Sequence, residues 1–166
     1  MSRDRAAGDP MIEYRKVTDT AEISRAVRLI LRVFTECVAP LFIQEGLECF
    51  RAYIYSGAIE ESMETGRGSM ICAYDGDVMA GVICILDRRH ISNLYVDRAY
   101  QRKGIATELL IQALEDGIFP VSVNAAPTAY EFYKKMGFTF LGMEECQNGM
   151  VFTKAQLSFR DRLPEK

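Results

Sequence analysis

Apolar positions recur along the chain with two periods, and each change of period marks a new element. Alternation over Ile12–Val17 predicts a first strand. Asp19 with Glu22 three residues on then reads as a capping-box-like helix start, Asp standing where Ser or Thr is usual. Ile23, Ala26, Val27, Ile30, Phe34 and Cys37 return at helical spacing, and Pro40 ends that helix or follows its end. Ile43, Leu47, Phe50 and Ile54 carry a second helix from about Ile43 to Tyr55, closed by Gly57. Residues 58–67 read as a short polar connection or a single helical turn.

The middle of the chain switches to short runs of β-formers. Ser69–Tyr74 and Val78–Leu86 flank Asp75-Gly76-Asp77, a hairpin signal, and Ile91–Val96 follows the charged turn Asp87-Arg88-Arg89. Three such strands in a row predict an antiparallel meander. Residues 104–116 return to helical spacing, with Gly117 as the stop. Pro120–Asn124 is a short strand, and Pro127 opens a helix that runs to Met136 before Gly137. Phe138–Gly142 and Gly149–Thr153 form a last strand pair around Asn148-Gly149. The order β-α-α-β-β-β-α-β-α-β-β predicts an α/β (α+β) fold: a mixed sheet flanked by helices.

Composition narrows the function. The chain has 166 residues, enough for one domain with a substantial core. Its 20 basic and 23 acidic residues leave a net charge of −3, which argues against a nucleic-acid partner. Five scattered cysteines without a CxxC pair, and the single histidine His90, argue against a metal site and against a disulfide framework. They fit reduced thiols in a cytoplasmic protein. No run approaches the roughly 18 apolar residues that suggest a membrane span. Residues 1–10 are polar and small and read as a disordered leader, ahead of a single domain over residues 11–166.

The stretch Ile91–Leu110, ISNLYVDRAYQRKGIATELL, carries the candidate chemistry. A strand ends at Val96, a polar turn follows, and Gln101-Arg102-Lys103-Gly104-Ile105-Ala106 leads straight into a helix. The first turn of a helix leaves backbone N–H groups unpaired at the positive end of its dipole, where a phosphate or diphosphate fits. Gly104 and Ala106 keep the approach open, while Arg102 and Lys103 add positive charge. Neither GxxxxGK[ST] nor GxGxxG occurs, so the better-known nucleotide loops are not supported.

This segment resembles the acetyl-CoA motif Q/R-x-x-G-x-G/A of the GCN5-related N-acetyltransferase (GNAT) family. Ala129–Phe138, AYEFYKKMGF, is similar to the family's second signature, with a tyrosine five residues before a Gly-Phe pair. The resemblance covers about residues 12–154. It implies a mostly antiparallel central sheet with one splayed parallel strand pair, between Ile91–Val96 and Pro120–Asn124. It also implies acetyl-CoA as cosubstrate, with no metal. The pantetheine arm would pair with the backbone of Leu94, Tyr95 and Val96, as an added strand does. The diphosphate would lie on Arg102 through Thr107, with Gln101 at the head of the motif.

Tyr133 matches the family's tyrosine, so its implied role is general acid toward the departing thiolate. It also belongs to the stripe Ala129, Phe132, Tyr133, Met136, whose spacing makes it a core residue. The two roles are compatible. Asn124 is a candidate cofactor contact or a turn-capping residue; the family often has asparagine where this chain has Ala126. No acidic residue lies within Ile91–Val96 or Val121–Asn124. His90 is therefore the candidate base by its ordinary pKa, with a strand-end residue in a charged turn as the alternative. Ser92 and Asn93 are polar in an apolar strand, suited to positioning a water. The implied activity is acetyl transfer to a primary amine, small molecule or peptide, by direct attack in a ternary complex. A non-catalytic CoA-binding sensor or interaction module on the same fold is the alternative. Homodimers occur in folds of this kind.

Overall fold

The computed structural model describes residues 11–164; the leader expected over residues 1–10 lies outside them. A seven-stranded sheet runs in the order β1-β2-β3-β4-β5-β7-β6. Its strands are β1 Ile12–Lys16, β2 Gly68–Asp75, β3 Val78–Leu86, β4 His90–Val96, β5 Val121–Ala125, β6 Thr139–Gln147 and β7 Met150–Leu157. The meander β2-β3-β4 is antiparallel as expected, and β4 and β5 are the parallel pair. The helices are α1 Thr20–Val33, α2 Gln44–Tyr55, α3 Ala58–Glu64, α4 Ile105–Ala113 and α5 Tyr130–Lys135.

The sheet separates two apolar cores. On one face α4 and α5 bury Ile83, Ile91, Leu109, Leu110, Val121 and Tyr133. On the other, α1, α2 and α3 bury Ile30, Phe34, Phe50, Ile59, Val82 and Cys84. Gly81 lets α4 approach the sheet: a Cβ there would lie 3.2 Å from Leu109 Cδ1 and 3.3 Å from Ile105 Cγ2.

Several boundaries differ from the sequence expectation, each for a local reason. Asp19 does cap α1, its Oδ1 accepting from the N–H groups of Ala21 and Glu22 at 3.0 and 3.1 Å. The capping box stays half made, because the Glu22 carboxylate accepts from the Tyr74 hydroxyl at 2.5 Å. The first helix is followed by a π-helical turn, Phe34–Val38, before the 3-10 turn Ala39–Leu41 that contains Pro40. Where a polar connection or a single helical turn is expected over residues 58–67, the seven-residue helix α3 forms; it starts at left-handed Gly57 and is anchored by buried Ile59. Pro127 opens a 3-10 turn, and the α-helix begins only at Tyr130. The last hairpin is longer than expected. The register shifts between Leu141 and Glu145, around left-handed Gly142, and pairing resumes beyond it.

Candidate active site

β4 and β5 form a fork. They pair only at His90–Ser122 and Ile91–Val123, although both strands continue. β5 stays paired with β7 as far as Ala125–Thr153, and β4 with β3 as far as Val96–Gly81. The space between the prongs belongs to a cavity of about 760 Å³. Leu94, Tyr95 and Val96 line one wall, and Val123, Asn124 and Ala125 the other.

A β-bulge decides what each β4 residue shows to the cavity. Cys84 pairs with Asn93 and Ile85 with Ile91, which leaves Ser92 unpaired in the ladder. The extra residue puts Ile91, Leu94 and Val96 with the α4 core, although their spacing is odd for a regular strand. Asn93 and Tyr95 turn to the opposite face. Asn93 Nδ2 donates to the Tyr53 hydroxyl oxygen at 3.1 Å, and Tyr95 packs 6.4 Å from Phe50, ring to ring.

The ladder also sorts the backbone. Asp97 N–H donates to Ala80 O at 2.8 Å. Alternation along an antiparallel pair then directs the polar backbone of Tyr95 toward β3 and that of Leu94 and Val96 toward the open edge. Of the three residues expected to offer an open backbone, two do so; Tyr95 contributes its ring. The Val96 carbonyl already accepts from Gln101 Nε2 at 3.0 Å. Gln101 is thus a strut between strand and loop, and its amide also lies 3.8 Å from Cys37 Sγ.

At the outer end of the cavity the loop enters α4 through two left-handed residues, Arg102 (φ 63°) and Gly104 (φ 78°). A Cβ on Gly104 would meet nothing within 4 Å, so its bare face opens to free space. Glu108 N–H is bonded to Gly104 O at 3.1 Å, while the helix start leaves Ile105, Ala106 and Thr107 N–H without an intrahelical acceptor. Arg102 and Lys135 bring positive charge to the cavity, and no carboxylate or imidazole among the described residues lines it. Lys103 points elsewhere, its ammonium 5.4 Å from the centre of the Tyr100 ring. The cradle therefore suits a polyanion by backbone donors, helix dipole and charge together.

Tyr133 is a core residue, as its helical spacing predicts. Its ring is 3% exposed, set edge-on between Phe132 and Phe138 at 5.1 Å from each. It also lines the cavity. Burial, with Tyr95 nearby, raises the phenol pKa, so the proton stays on the oxygen at neutral pH. Asn124 is an exposed residue of the β5 wall, and no side-chain bond caps the turn that follows at Pro127.

His90 is not brought to this site. It sits at the closed end of the fork, where its Nδ1 lies 2.8 Å from Ser122 Oγ, and it is absent from the cavity wall. Burial lowers its pKa, so the ring is neutral at pH 7. The position is that of a structural strand-end residue, because β4 carries the residues that reach the cavity several positions further on.

Other groups were not legible beforehand. Val33 at the end of α1, and Cys37 and Val38 of the π turn that follows, reach the cavity; such turns are often found at functional sites. Lys135 reaches it from the last turn of α5, signalled only by a charge at a helix end. All five cysteines are free. Burial pushes the Cys72 thiol up to about 12 and raises Cys84 as well, so neither is an activated nucleophile. Among the described residues, no group of three or more His, Cys, Asp or Glu is placed to hold a metal, and no helix is long and apolar enough to cross a membrane.

Comparison with known proteins agrees with this geometry. The family model described as an acetyltransferase (GNAT) domain matches residues 38–159. Among solved structures, a Rhodopseudomonas palustris protein described as a GCN5-related N-acetyltransferase, aminotransferase class-II, superposes with a TM-score of 0.68 at 18% identity, over 93% of this chain and 99% of its own. The PaiA N-acetyltransferase of Thermoplasma acidophilum, solved with coenzyme A, gives 0.67 at 20% identity, over 89% and 99%. FeeM, an N-acyl amino acid synthase from uncultured soil microbes, gives 0.65 at 17% identity, over 90% and 92%. No match is found among curated proteins.

Proposed function

The chain belongs to the GNAT acetyltransferase family, and we propose that it transfers an acetyl group from acetyl-CoA to a primary amine, on a small molecule or peptide, by direct attack in a ternary complex. The fork carries this reading: two parallel strands that separate after two residue pairs, with an anion cradle at the open end. The residues present fit the cosubstrate. Ile105, Ala106 and Thr107 N–H take the diphosphate, with Arg102 beside them. The open edge at Leu94 and Val96 pairs with the amides of the pantetheine arm. Because the diphosphate end is fixed beyond Val96, the acyl end lies toward the fork, and Leu94 N–H is the donor that polarises the thioester carbonyl.

The amine first gives its ammonium proton to solvent water; the freed nitrogen lone pair then attacks that carbonyl carbon, the C–N bond forms and the C–S bond breaks. Tyr133 hands its proton to the departing sulfur and recovers one from the nitrogen, which must shed it to become an amide. The raised pKa of Tyr133 keeps the donor protonated through the physiological range. The ring packing between Phe132 and Phe138 holds the hydroxyl in place. The free thiols support a cytosolic setting.

One observation favours the alternative of a CoA-binding module without turnover: no carboxylate or imidazole among the described residues lines the cavity. Thiol release from acetyl-CoA, measured over a panel of amines and peptides, separates the two. Turnover on any acceptor supports the transferase; calorimetric CoA binding without turnover on all of them supports the module.

A further inference from the structure

The cosubstrate and Asn93 approach the fork from opposite faces of the sheet. The α4 cradle and the side chains of Leu94 and Val96 belong to one core, whereas Asn93, shifted in phase by the bulge at Ser92, belongs to the face covered by α1, α2 and α3. Asn93 is only 3% exposed, yet it lines the cavity. Its two amide hydrogens are directed to the Tyr53 hydroxyl at 3.1 Å and to Ser92 Oγ at 3.3 Å. Ser92 Oγ in turn donates to Cys84 O at 3.2 Å, which fixes the bulge. With both hydrogens committed, the amide orientation is set, and Asn93 Oδ1 accepts no hydrogen bond from any described residue. Among the described residues this oxygen is not a buried orphan; it meets the open space of the cavity, where it is a free acceptor.

The complement of an open amide oxygen is a group that donates N–H bonds, and an aliphatic ammonium has three such hydrogens to give.

Resting on the transferase reading above, we propose that Asn93 Oδ1 is the hydrogen-bond acceptor that positions the incoming amine at the fork. Asn93 is then a substrate-binding residue, and Tyr53 holds it in orientation.

The test uses the full chain saturated with CoA and n-butylammonium as the probe, with n-butanol as its uncharged counterpart. Calorimetric CoA binding comes first; a chain that binds no CoA overturns the fork reading, and this inference with it. With CoA bound, the ¹⁵N-labelled Asn93 side-chain resonance is expected to shift saturably with n-butylammonium. An unmoved Asn93 resonance overturns the inference and leaves the fork reading intact. Asn93→Ala is expected to weaken the ammonium roughly 10-fold or more, the scale of a hydrogen bond to a charged group, with CoA affinity unchanged. Should that variant fold poorly, Tyr53→Phe removes only the anchor, and a smaller loss in the same direction is expected. Asn93→Ala should also cost n-butylammonium more than n-butanol, which has a single hydrogen to give; an equal loss for both overturns the proposal. An equal loss of CoA affinity in Asn93→Ala also overturns the proposal, since it would mark a general structural role.

Discussion

The two ends of the cleft are built from different materials. The outer end is backbone: N–H groups at the start of α4, exposed by left-handed Arg102 and Gly104. The inner end is side chain: Tyr133 from α5 on one face, and on the other Asn93 from β4, held from outside the cavity wall by Tyr53 of α2. A backbone site needs only small residues and the right dihedrals at one place in the chain. A side-chain site needs several elements to arrive at one point. The difference teaches where specificity can vary: the outer end is tied to the shape of a single loop, whereas the inner end can be rewritten residue by residue without disturbing it.

Substitutions that uncouple the two ends test this contrast. The largest effect is expected from Tyr133→Phe, which should lower turnover by roughly 10²–10⁴-fold, the usual range for one general acid. CoA affinity should stay within a factor of about two, because a lost contact contributing nothing to ground-state binding leaves it alone. Stopped assays and calorimetry on one preparation read both; a matching loss of affinity would merge the two ends into one. In wild type, the turnover of the bound complex should show no alkaline decline from Tyr133 near its ordinary pKa of about 10, since burial moves the group upward.

Gly104→Val comes next. It strains a left-handed position by about 1–2 kcal/mol and fills the space above the helix start. CoA binding should weaken by roughly 10-fold or more if the diphosphate loses a charge-assisted bond. The melting temperature reports the strain separately, and unchanged affinity would dismiss the cradle.

Ionic strength should distinguish the ends with a smaller effect. CoA affinity should fall as salt screens Arg102 and Lys135. The turnover of Tyr133, a neutral donor at constant saturation, should change little.

The smallest effect concerns His90, whose burial depresses its pKa in the folded state. The unfolded chain then takes up a proton before the folded one does. Stability from this group is therefore present above the unfolded value of about 6.5 and declines as pH falls through it toward the folded value. His90→Gln should flatten that part of the melting-temperature profile while leaving the pH dependence of turnover unmoved. A shifted acidic limb in the rate profile would return His90 to the chemistry.

The same contrast explains what could be read beforehand. The α4 cradle was legible in a single stretch because Gln101–Ala106 encodes strand end, turn and helix start together. The meander was legible too, since period-2 runs and Gly76 are local signals. Tyr133 emerged through its family position, and its spacing also foretold its burial. His90 is favoured by the lack of an acidic residue in the two strands and by its ordinary pKa, and neither says which end of a fork a residue occupies. The Asn93–Tyr53 pair spans residues 40 apart, and its orientation rests on a one-residue irregularity. Only the odd interval from Ile91 to Leu94, both in one core, hinted at it. The π turn at Phe34–Val38 had no comparable signal.

That irregularity has a consequence for how such a chain can change. Removing Ser92 outright, instead of exchanging it, would leave the inventory of side chains almost the same. Yet everything upstream of it in the strand would trade sides relative to everything downstream. Composition at this point is free to drift; length is not.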